Sequence, residues 1–211
     1  MAFYELSITA TDRGSAAGGV DLTSKVANLH ITVLDANDND PVLDASTYQK
    51  NISEATTVNS LVLSVSVTDE DADANAEVRF SLVGDQGMFD ITDAGDIMLA
   101  KGLDREAVNR YAFTVTATDK GFPPRSTSST VVVVVLDYND NQPIFEKPLY
   151  IATRPEDVAG GSQVIGVRAT DLDSGINQQL SYSLIAIEPL ATHFEISDDG
   201  EGGAVISVTV R

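Results

Sequence analysis

One acidic heptad occurs twice in this chain, and the spacing of its copies sets the size of the folding unit. Residues 35–41 read DANDNDP and residues 137–143 read DYNDNQP, so the copies begin 102 positions apart. A period near 100 residues is far longer than a solenoid unit and matches one small domain. Each copy follows a β-branched apolar run and ends in proline, which indicates a non-helical connection between strand-rich domains.

Other motifs keep this period. The pairs separated by 102 positions are Glu54 with Glu156, Asn75 with Asn177, and the DED of 69–71 with the DLD of 171–173. The TATD sequence at 9–12 returns at 116–119 after 107 positions, so a loop length varies there. We therefore expect the C-terminal part of a domain in 1–40, a complete domain with its trailing linker in 41–142, and the N-terminal part of a third domain in 143–211. We expect such a chain to belong to a longer protein.

Hydrophobic residues alternate with polar ones over short segments throughout the chain. In residues 61–67 the alternation puts Leu61, Leu63, Val65 and Val67 on one face. Similar half-buried strands are predicted at 3–8, 78–82 and 111–116, and the run 131–135 is predicted to be a core strand. Because turn residues separate these segments and no amphipathic helix is evident, the pattern predicts an all-β fold of antiparallel Greek-key sandwiches.

The charge of the chain excludes some functions. It carries 32 acidic and 13 basic residues, for a formal net charge of −19. Nucleic-acid binding needs clustered Lys and Arg, so this function is excluded. The chain has no cysteine, so the core and bound ions must hold each domain together without disulfides.

The acidic heptads are dense in side-chain oxygens. Calcium takes six to eight oxygen ligands from carboxylates, amides and backbone carbonyls. Further acidic groups occur at Glu54 and in the LDRE sequence at 103–106. Taken singly, a lone Glu or an Asp-x-Glu is usually a solvated surface feature. The order and spacing of the heptads, Glu54 and the LDRE sequence together favour sites at which Ca²⁺ ions join neighbouring domains.

With these motifs in this order, the sequence resembles tandem extracellular cadherin repeats of the long protocadherin, Fat or Dachsous kind. The resemblance rests on Glu54, the DED of 69–71, the LDRE of 103–106, the TATD of 116–119 and the DYNDN of 137–141. It implies a seven-stranded sandwich for each repeat and about three Ca²⁺ ions at each linker, held by clustered oxygens. The sequence departs from the family pattern at Asp73, where the family usually has Gly. The equivalent position of the third domain is Gly175. We expect the fold to tolerate this change.

The resemblance also implies a ligand set for each linker. At the second linker the inner ions would be bound by Glu54, Asp104, Glu106, Asp137, the Tyr138 carbonyl and Asp140, with Asp173 bridging to the outer ion. That outer ion would be bound by Asn139, the Asn141 carbonyl, Asp171, Asp173 and the Asn177 carbonyl. At the first linker the outer ion would be bound by Asn37, Asn39, Asp69, Asp71, Asn75 and Asp119, and the inner ions by Asp35, the Ala36 carbonyl, Asp38 and Asp71. Asp12 and Glu156 match ligands of linkers outside this chain and should be idle.

Three functions follow as alternatives. The first is a calcium-dependent cell–cell adhesion ectodomain whose ions bridge adjacent repeats and rigidify a rod. Its partners would be cadherin repeats of the same or a related protein, and its parent a membrane-anchored glycoprotein with an extracellular location. The sequon at 51–53 fits a secreted surface. The second is a calcium-stiffened spacer or tether in a signalling or mechanical receptor, with recognition elsewhere. The third is an enzyme such as a glycosidase, which is disfavoured because the linker sites already use every acidic cluster.

Overall fold

β-strands form nearly all of the regular structure in the described part of the chain. The computed structural model describes residues 2–12, 22–185 and 193–209. Within these ranges lie fifteen strands and one turn of 3₁₀ helix at Asp73–Asn75. The predicted all-β fold class is therefore confirmed. No helix in the same ranges is long and apolar enough to cross a membrane.

The strands follow one another with short connections. In chain order they are β1 (Ala2–Ile8), β2 (Ala27–Val33), β3 (Val42–Leu43), β4 (Thr47–Ser53), β5 (Leu61–Ser64), β6 (Val67–Thr68), β7 (Val78–Val83), β8 (Phe89–Ile91), β9 (Asp96–Leu99), β10 (Arg110–Asp119), β11 (Ser126–Leu136), β12 (Ile144–Phe145), β13 (Gln163–Thr170), β14 (Phe194–Asp198) and β15 (Gly203–Val208).

The chain packs into two units. The first contains residues 1–50, 58–101 and 112–132, and the second contains residues 51–57, 102–111 and 133–211. Strands β4, β10 and β11 contribute residues to both units.

The core of the first unit lies between strands that alternate as the sequence predicts. Strand β10 pairs antiparallel with β7, from Thr114 opposite Val83 to Asp119 opposite Val78. The rings of Phe89 and Phe113 stack with their centroids 4.9 Å apart. The other buried apolar side chains of this unit are Val62, Val65, Ile97, Leu99, Val115, Ala117, Val131 and Val132.

The predicted face of residues 61–67 is confirmed for Leu63, Val65 and Val67, which are more buried than Ser64 and Ser66, and is wrong at Leu61. Val62 and Val65 are buried, each 2% exposed, whereas Leu61 is 55% exposed. The pairing of β5 with β9 shifts register between Leu61 and Leu63, which leaves Val62 as an extra residue in β5. A bulge of this kind places the side chains before it and after it on different faces, so the alternation is broken at residues 61–62.

Strands β1 and β2 form a two-stranded antiparallel sheet, from Ala2 opposite Val33 to Ile8 opposite Ala27. The strand predicted at 3–8 is confirmed. The expectation that it is half-buried is wrong, because Leu6 and Ile8 are 48% and 50% exposed.

The second unit contains a four-stranded antiparallel sheet in the order β12-β13-β15-β14. The Tyr182 hydroxyl accepts a hydrogen bond from the Ala169 N–H at 2.9 Å and donates one to the Gly202 carbonyl at 3.1 Å. The predicted core strand at 131–135 lies within β11, and Val133 and Val135 are buried in this unit.

Candidate metal centres

Short strand pairs explain why each heptad lies beside an Asp-x-Asp loop. Strand β3 begins just after Pro41, and its Val42 pairs with Thr68, the residue before Asp69. In the same way Ile144 of β12 pairs with Thr170, the residue before Asp171. Because antiparallel partners run in opposite directions, each heptad ends where its Asp-x-Asp loop begins. The backbone therefore brings together two acidic segments that are about 30 residues apart in sequence.

Glu54 organises the second linker. It directly follows β4 and is only 6% exposed. Its two carboxylate oxygens accept hydrogen bonds from the backbone N–H of Arg105 at 2.7 Å and of Tyr138 at 2.8 Å. One buried carboxylate thus holds both the 103–106 loop and the start of the linker through two backbone hydrogen bonds.

Two groups of carboxylates converge at the second linker. The first consists of Glu54, Glu106 and Asp140, with one oxygen from each lying within 4.8 Å of the others. The second consists of Glu106, Asp137 and Asp173 at the same spacing. Glu106 belongs to both groups. Carboxylates this close repel one another unless a cation or protons compensate the charge.

The pKa of Asp140 reflects this crowding. Burial raises it above its ordinary value, and the nearby charges of Glu54, Asp173 and Asp104 raise it further. This is the direction expected for a carboxylate whose neighbours carry the same charge. Asp140 is therefore the carboxyl of the second linker on which the repulsion of its neighbours is most evident.

Asp173 offers a free oxygen to this site. It is 3% exposed, and its Oδ1 accepts hydrogen bonds from the Asn141 backbone N–H at 3.3 Å and from Asn141 Nδ2 at 2.9 Å. Its Oδ2 is buried and has no hydrogen-bond donor. A buried carboxylate oxygen without a donor is costly, which is consistent with an oxygen meant for a metal ion.

Asp137 ties the second linker to the 171–177 loop by hydrogen bonds. Its Oδ1 accepts from the Ser174 N–H at 3.0 Å, and its Oδ2 accepts from Asn177 Nδ2 at 2.8 Å. Asp171 supports the same loop, because its Oδ1 accepts from the Asp173 N–H at 2.9 Å. The loop thus has a defined conformation from protein contacts alone.

The other residues predicted at the second linker are exposed or form local hydrogen bonds. Asp104 Oδ1 accepts from the Ala107 N–H at 2.9 Å, and Asp140 Oδ1 accepts from Asn141 Nδ2 at 2.9 Å. Tyr138 and Asn139 are exposed. For Tyr138 this fits a role for its backbone carbonyl only.

The first linker is organised around Asp119, which is fully buried at the end of β10. Asp119 accepts hydrogen bonds from the backbone N–H groups of Gly121 and Arg125, each at 3.0 Å, and from Asn37 Nδ2 at 3.2 Å. Burial alone would raise the pKa of this carboxyl, but these hydrogen bonds and the charge of Arg125 hold it below its ordinary value. Asp119 is therefore an anion fixed in place by the protein.

Two buried oxygens at the first linker have no donor. Asn37 Nδ2 donates to the Pro123 carbonyl at 2.7 Å, which leaves its Oδ1 buried and without a partner. Asp69 Oδ1 accepts from the Asp71 N–H at 3.0 Å, while its Oδ2 is likewise buried and without a partner. Both residues were predicted as ligands of the outer ion, and their free oxygens suit a hard cation.

The other predicted residues of the first linker form local hydrogen bonds. Asp35 Oδ2 accepts from the Ala72 N–H and from Asn75 Nδ2, both at 2.9 Å, as Asp137 does at the second linker. Asn39 Nδ2 donates to Asp71 Oδ1 at 2.6 Å and to Asp38 Oδ1 at 3.0 Å. The Ala36 carbonyl accepts from the Asp38 N–H at 2.9 Å. Among the described residues, no group of three carboxylates converges here as it does at the second linker.

The Asp-x-Asp loops of the two linkers share a backbone conformation despite different residues. Asp73 has φ 53° and Gly175 has φ 60°, both in the left-handed region. Glycine adopts this region freely, and Asp is among the residues that tolerate it. The fold thus tolerates Asp73 as expected, and the loop keeps the backbone conformation that Gly175 has in the third domain.

Sequence reasoning gave no role to Arg105 or Gly121. The Arg105 guanidinium lies among the carboxylates of the second linker, 2.5 Å from Asp137 at its Nε. The only hint of this role in the sequence is that Arg105 stands between two predicted ligands, Asp104 and Glu106. At Gly121 an added Cβ would overlap the Asn37 amide and lie 2.8 Å from Asn75 Oδ1. No pattern in one sequence signals so close an approach.

Gly121→Ala should disturb the first linker selectively. The added methyl group must displace the Asn37 and Asn75 side chains, so we expect the affinity of this linker for a divalent cation to fall several-fold. Because the φ of Gly121 is not positive, Ala adds no backbone strain there, and the effect should come from the displaced side chains alone. Calorimetric titration of the variant tests this, with Gly102→Ala as the control because nothing lies within 4 Å of a Cβ there. Equal affinities for both variants and the wild type would contradict the prediction.

The comparisons with known proteins agree with the motifs. Residues 48–136 match the family described as the cadherin domain. Protocadherin Fat 4 of Mus musculus is 39% identical over 198 residues, which cover 92% of this chain and 4% of that protein. Cadherin-23 of Mus musculus is 42% identical over 188 residues, which cover 85% of this chain and 5% of that protein. The chain thus spans about one twentieth of these relatives.

A solved structure has the same architecture. The crystal structure of mouse cadherin-23 EC22-24 superposes with a TM-score of 0.80 at 31% identity, covering 99% of this chain and 64% of that one. The extracellular cadherin domains 1-4 of protocadherin gamma B7 give a TM-score of 0.72 at 30% identity, covering 98% of this chain and 49% of that one.

Proposed function

Because the chain belongs to the cadherin family, we propose that its two acidic linkers bind Ca²⁺ and thereby stiffen an ectodomain for cell–cell adhesion. Family members of this kind are non-enzymatic adhesion ectodomains, so the chain is not an enzyme. The family is also that of extracellular regions of membrane-associated proteins.

The observation that carries the proposal is the convergence of carboxylates at the second linker. Glu54 and Glu106 come from the segment before the linker, Asp137 and Asp140 from the linker itself, and Asp173 from the segment after it. The buried Asp173 Oδ2, which has no hydrogen-bond donor, also supports a cation site, since hard cations prefer carboxylate oxygens. Ligands from three segments that share ions would couple the motions of those segments.

Domain boundaries and ligands follow from this proposal. We divide the chain into 1–40, 41–142 and 143–211, and the family match at 48–136 lies inside the second part. The second linker would use Glu54, Asp104, Glu106, Asp137, Tyr138, Asn139, Asp140, Asn141, Asp171, Asp173 and Asn177. The first would use Asp35, Ala36, Asn37, Asp38, Asn39, Asp69, Asp71, Asn75 and Asp119.

The residues of each linker would act in two ways. Without metal, the crowded carboxylates of the second linker repel one another, and this repulsion opposes the contacts that hold their segments together. Bound calcium would supply the positive charge that cancels this repulsion. Asp35 and Asp137 meanwhile hold the loops in position through backbone and amide hydrogen bonds, so the ligands are arranged before an ion arrives.

Metal removal tests the proposed function. We expect calorimetric titration of the 211-residue chain to show several Ca²⁺ ions bound, with dissociation constants of roughly 10⁻⁴–10⁻³ M, as for other extracellular modules. Small-angle scattering should show a wider spread of conformations in EDTA than in Ca²⁺. Absence of binding heat, or identical scattering under both conditions, would contradict the calcium mechanism.

Adhesion and the spacer alternative can be separated in the same samples. The proposed partners are cadherin repeats of the same or a related protein. Calcium-dependent self-association in analytical ultracentrifugation would support homophilic adhesion by this segment, whereas a monomer at all concentrations would favour a spacer with recognition elsewhere. Asn51 is exposed on β4, which suits a glycan at the sequon.

A further inference from the structure

A positively charged side chain of the chain itself lies among the carboxylates of the second linker. Arg105 Nε is 2.5 Å from Asp137 Oδ1, and its guanidinium also pairs with Glu106 Oε1. The side chains of Arg105, Asp137 and Glu106 are only 16%, 13% and 19% exposed. Partly buried pairs of this kind are less screened by solvent and salt than surface pairs.

Arg105 contacts two of the three carboxylates in one of the metal-compatible groups. Glu106, Asp137 and Asp173 form that group, and Arg105 pairs with the first two. The guanidinium therefore places a positive charge beside Glu106 and Asp137, as a bound metal ion would. A planar guanidinium with several donors suits simultaneous contact with two carboxylates.

Arg105 also reaches the loop after the linker. Its Nη2 donates to the Leu172 carbonyl at 3.0 Å, within the Asp171–Asp173 loop, while its backbone N–H donates to Glu54 at 2.7 Å. One residue thus contacts the segment before the linker, the linker and the segment after it. None of these contacts needs a metal ion.

The contacts of Arg105 with Glu106 and Asp137 are ion pairs. A guanidinium keeps its proton in proteins, so its positive charge at this place does not depend on its surroundings.

We propose that Arg105 is an internal counter-cation of the second linker, a positioning residue with two effects. It holds Glu106, Asp137 and the 171–173 loop together when no metal is bound. It also weakens cation binding, because a metal ion and the guanidinium use the same carboxylates. The second effect rests on the proposed calcium function, whereas the first does not.

Arg105→Gln tests both effects in the 211-residue chain. In EDTA the melting temperature should fall by roughly 2–4 °C, as expected for loss of about 1 kcal/mol in a chain of this size. The affinity of the second linker for Ca²⁺ should rise by roughly three- to tenfold, since a unit charge a few ångströms from a divalent ion is removed. Arg79→Gln, at an exposed position on β7, is the matched control and should change neither quantity.

Arg105→Lys separates charge from geometry. A Lys keeps the positive charge but not the planar fork, so its melting temperature in EDTA should fall while its Ca²⁺ affinity stays near that of the wild type. A merely structural role for Arg105 would instead lower Ca²⁺ affinity in both variants, and that result would overturn the proposal. An unchanged melting temperature of Arg105→Gln in EDTA would overturn it as well.

The two proposals can fail separately. If the wild type takes up no Ca²⁺, the calcium function and the competition effect are both wrong. A lower melting temperature of Arg105→Gln in EDTA would then still support the metal-independent role.

Discussion

Replacement of Glu54 by Gln should lower the Ca²⁺ affinity of the second linker by ten- to a hundredfold or more. Loss of a supporting contact to a metal ligand commonly costs this much, and Glu54 is proposed to be a ligand itself. The change removes one negative charge. It also places an amide N–H₂ where the carboxylate now accepts the N–H of Arg105 or of Tyr138. Two donors would then face each other in a site that is 6% exposed.

Titration calorimetry on Glu54→Gln measures this effect, with Glu156→Gln as the matched control. Glu156 occupies the same position one repeat later, is exposed, and was expected to be idle. Both variants make the same chemical change, so only the surroundings differ. Equal Ca²⁺ affinity in the two variants would show that Glu54 is a structural residue and not a ligand.

Asp119→Asn should have the second largest effect, at the first linker. Asp119 is fully buried and accepts hydrogen bonds from Gly121, Arg125 and Asn37. An Asn in its place loses the charge and at least one acceptor, which should lower the free energy of unfolding by about 1–3 kcal/mol. The first linker should also lose at least about tenfold in Ca²⁺ affinity.

Chemical denaturation in EDTA and calorimetry in Ca²⁺ measure the two parts of this prediction. Asp12→Asn is the control, because Asp12 ends the earlier TATD sequence and is exposed. The second linker provides an internal check, since its affinity should not change in Asp119→Asn. If both linkers weaken together, the change has acted on folding as a whole and the assignment of Asp119 to the first linker is wrong.

Much of the fold and the candidate sites follows from the sequence, because both depend on local patterns. Alternation over 78–82 and 111–116 reflects side chains that point to opposite faces of a strand, and these strands form as predicted. Glu54, Asp119 and Asp173 were predicted as ligands, and they are the buried acidic residues of the described chain. The prediction that these residues are ligands rests on the order of the motifs along a repeat and not on the residues that flank each of them.

The rest depends on packing between distant residues. The bulge at Val62 arises from the pairing of β5 with β9, whose register no local alternation reveals. The role of Arg105 does not follow from its motif, since its contact with Leu172 joins residues 67 positions apart. Gly121 is required by the proximity of Asn37, which lies 84 positions earlier. Such contacts exist only in the folded chain.

The two-residue strands β3 and β12 have a consequence for how chains of this kind can change length. Each joins the end of a heptad to its Asp-x-Asp loop through a fixed register, Val42 opposite Thr68 and Ile144 opposite Thr170. One inserted residue would turn every following side chain to the opposite face of its strand. The connection after each TATD sequence is free of this restriction, and the two copies already differ there by five residues. Insertions in natural variants should therefore accumulate in that connection and avoid the heptads.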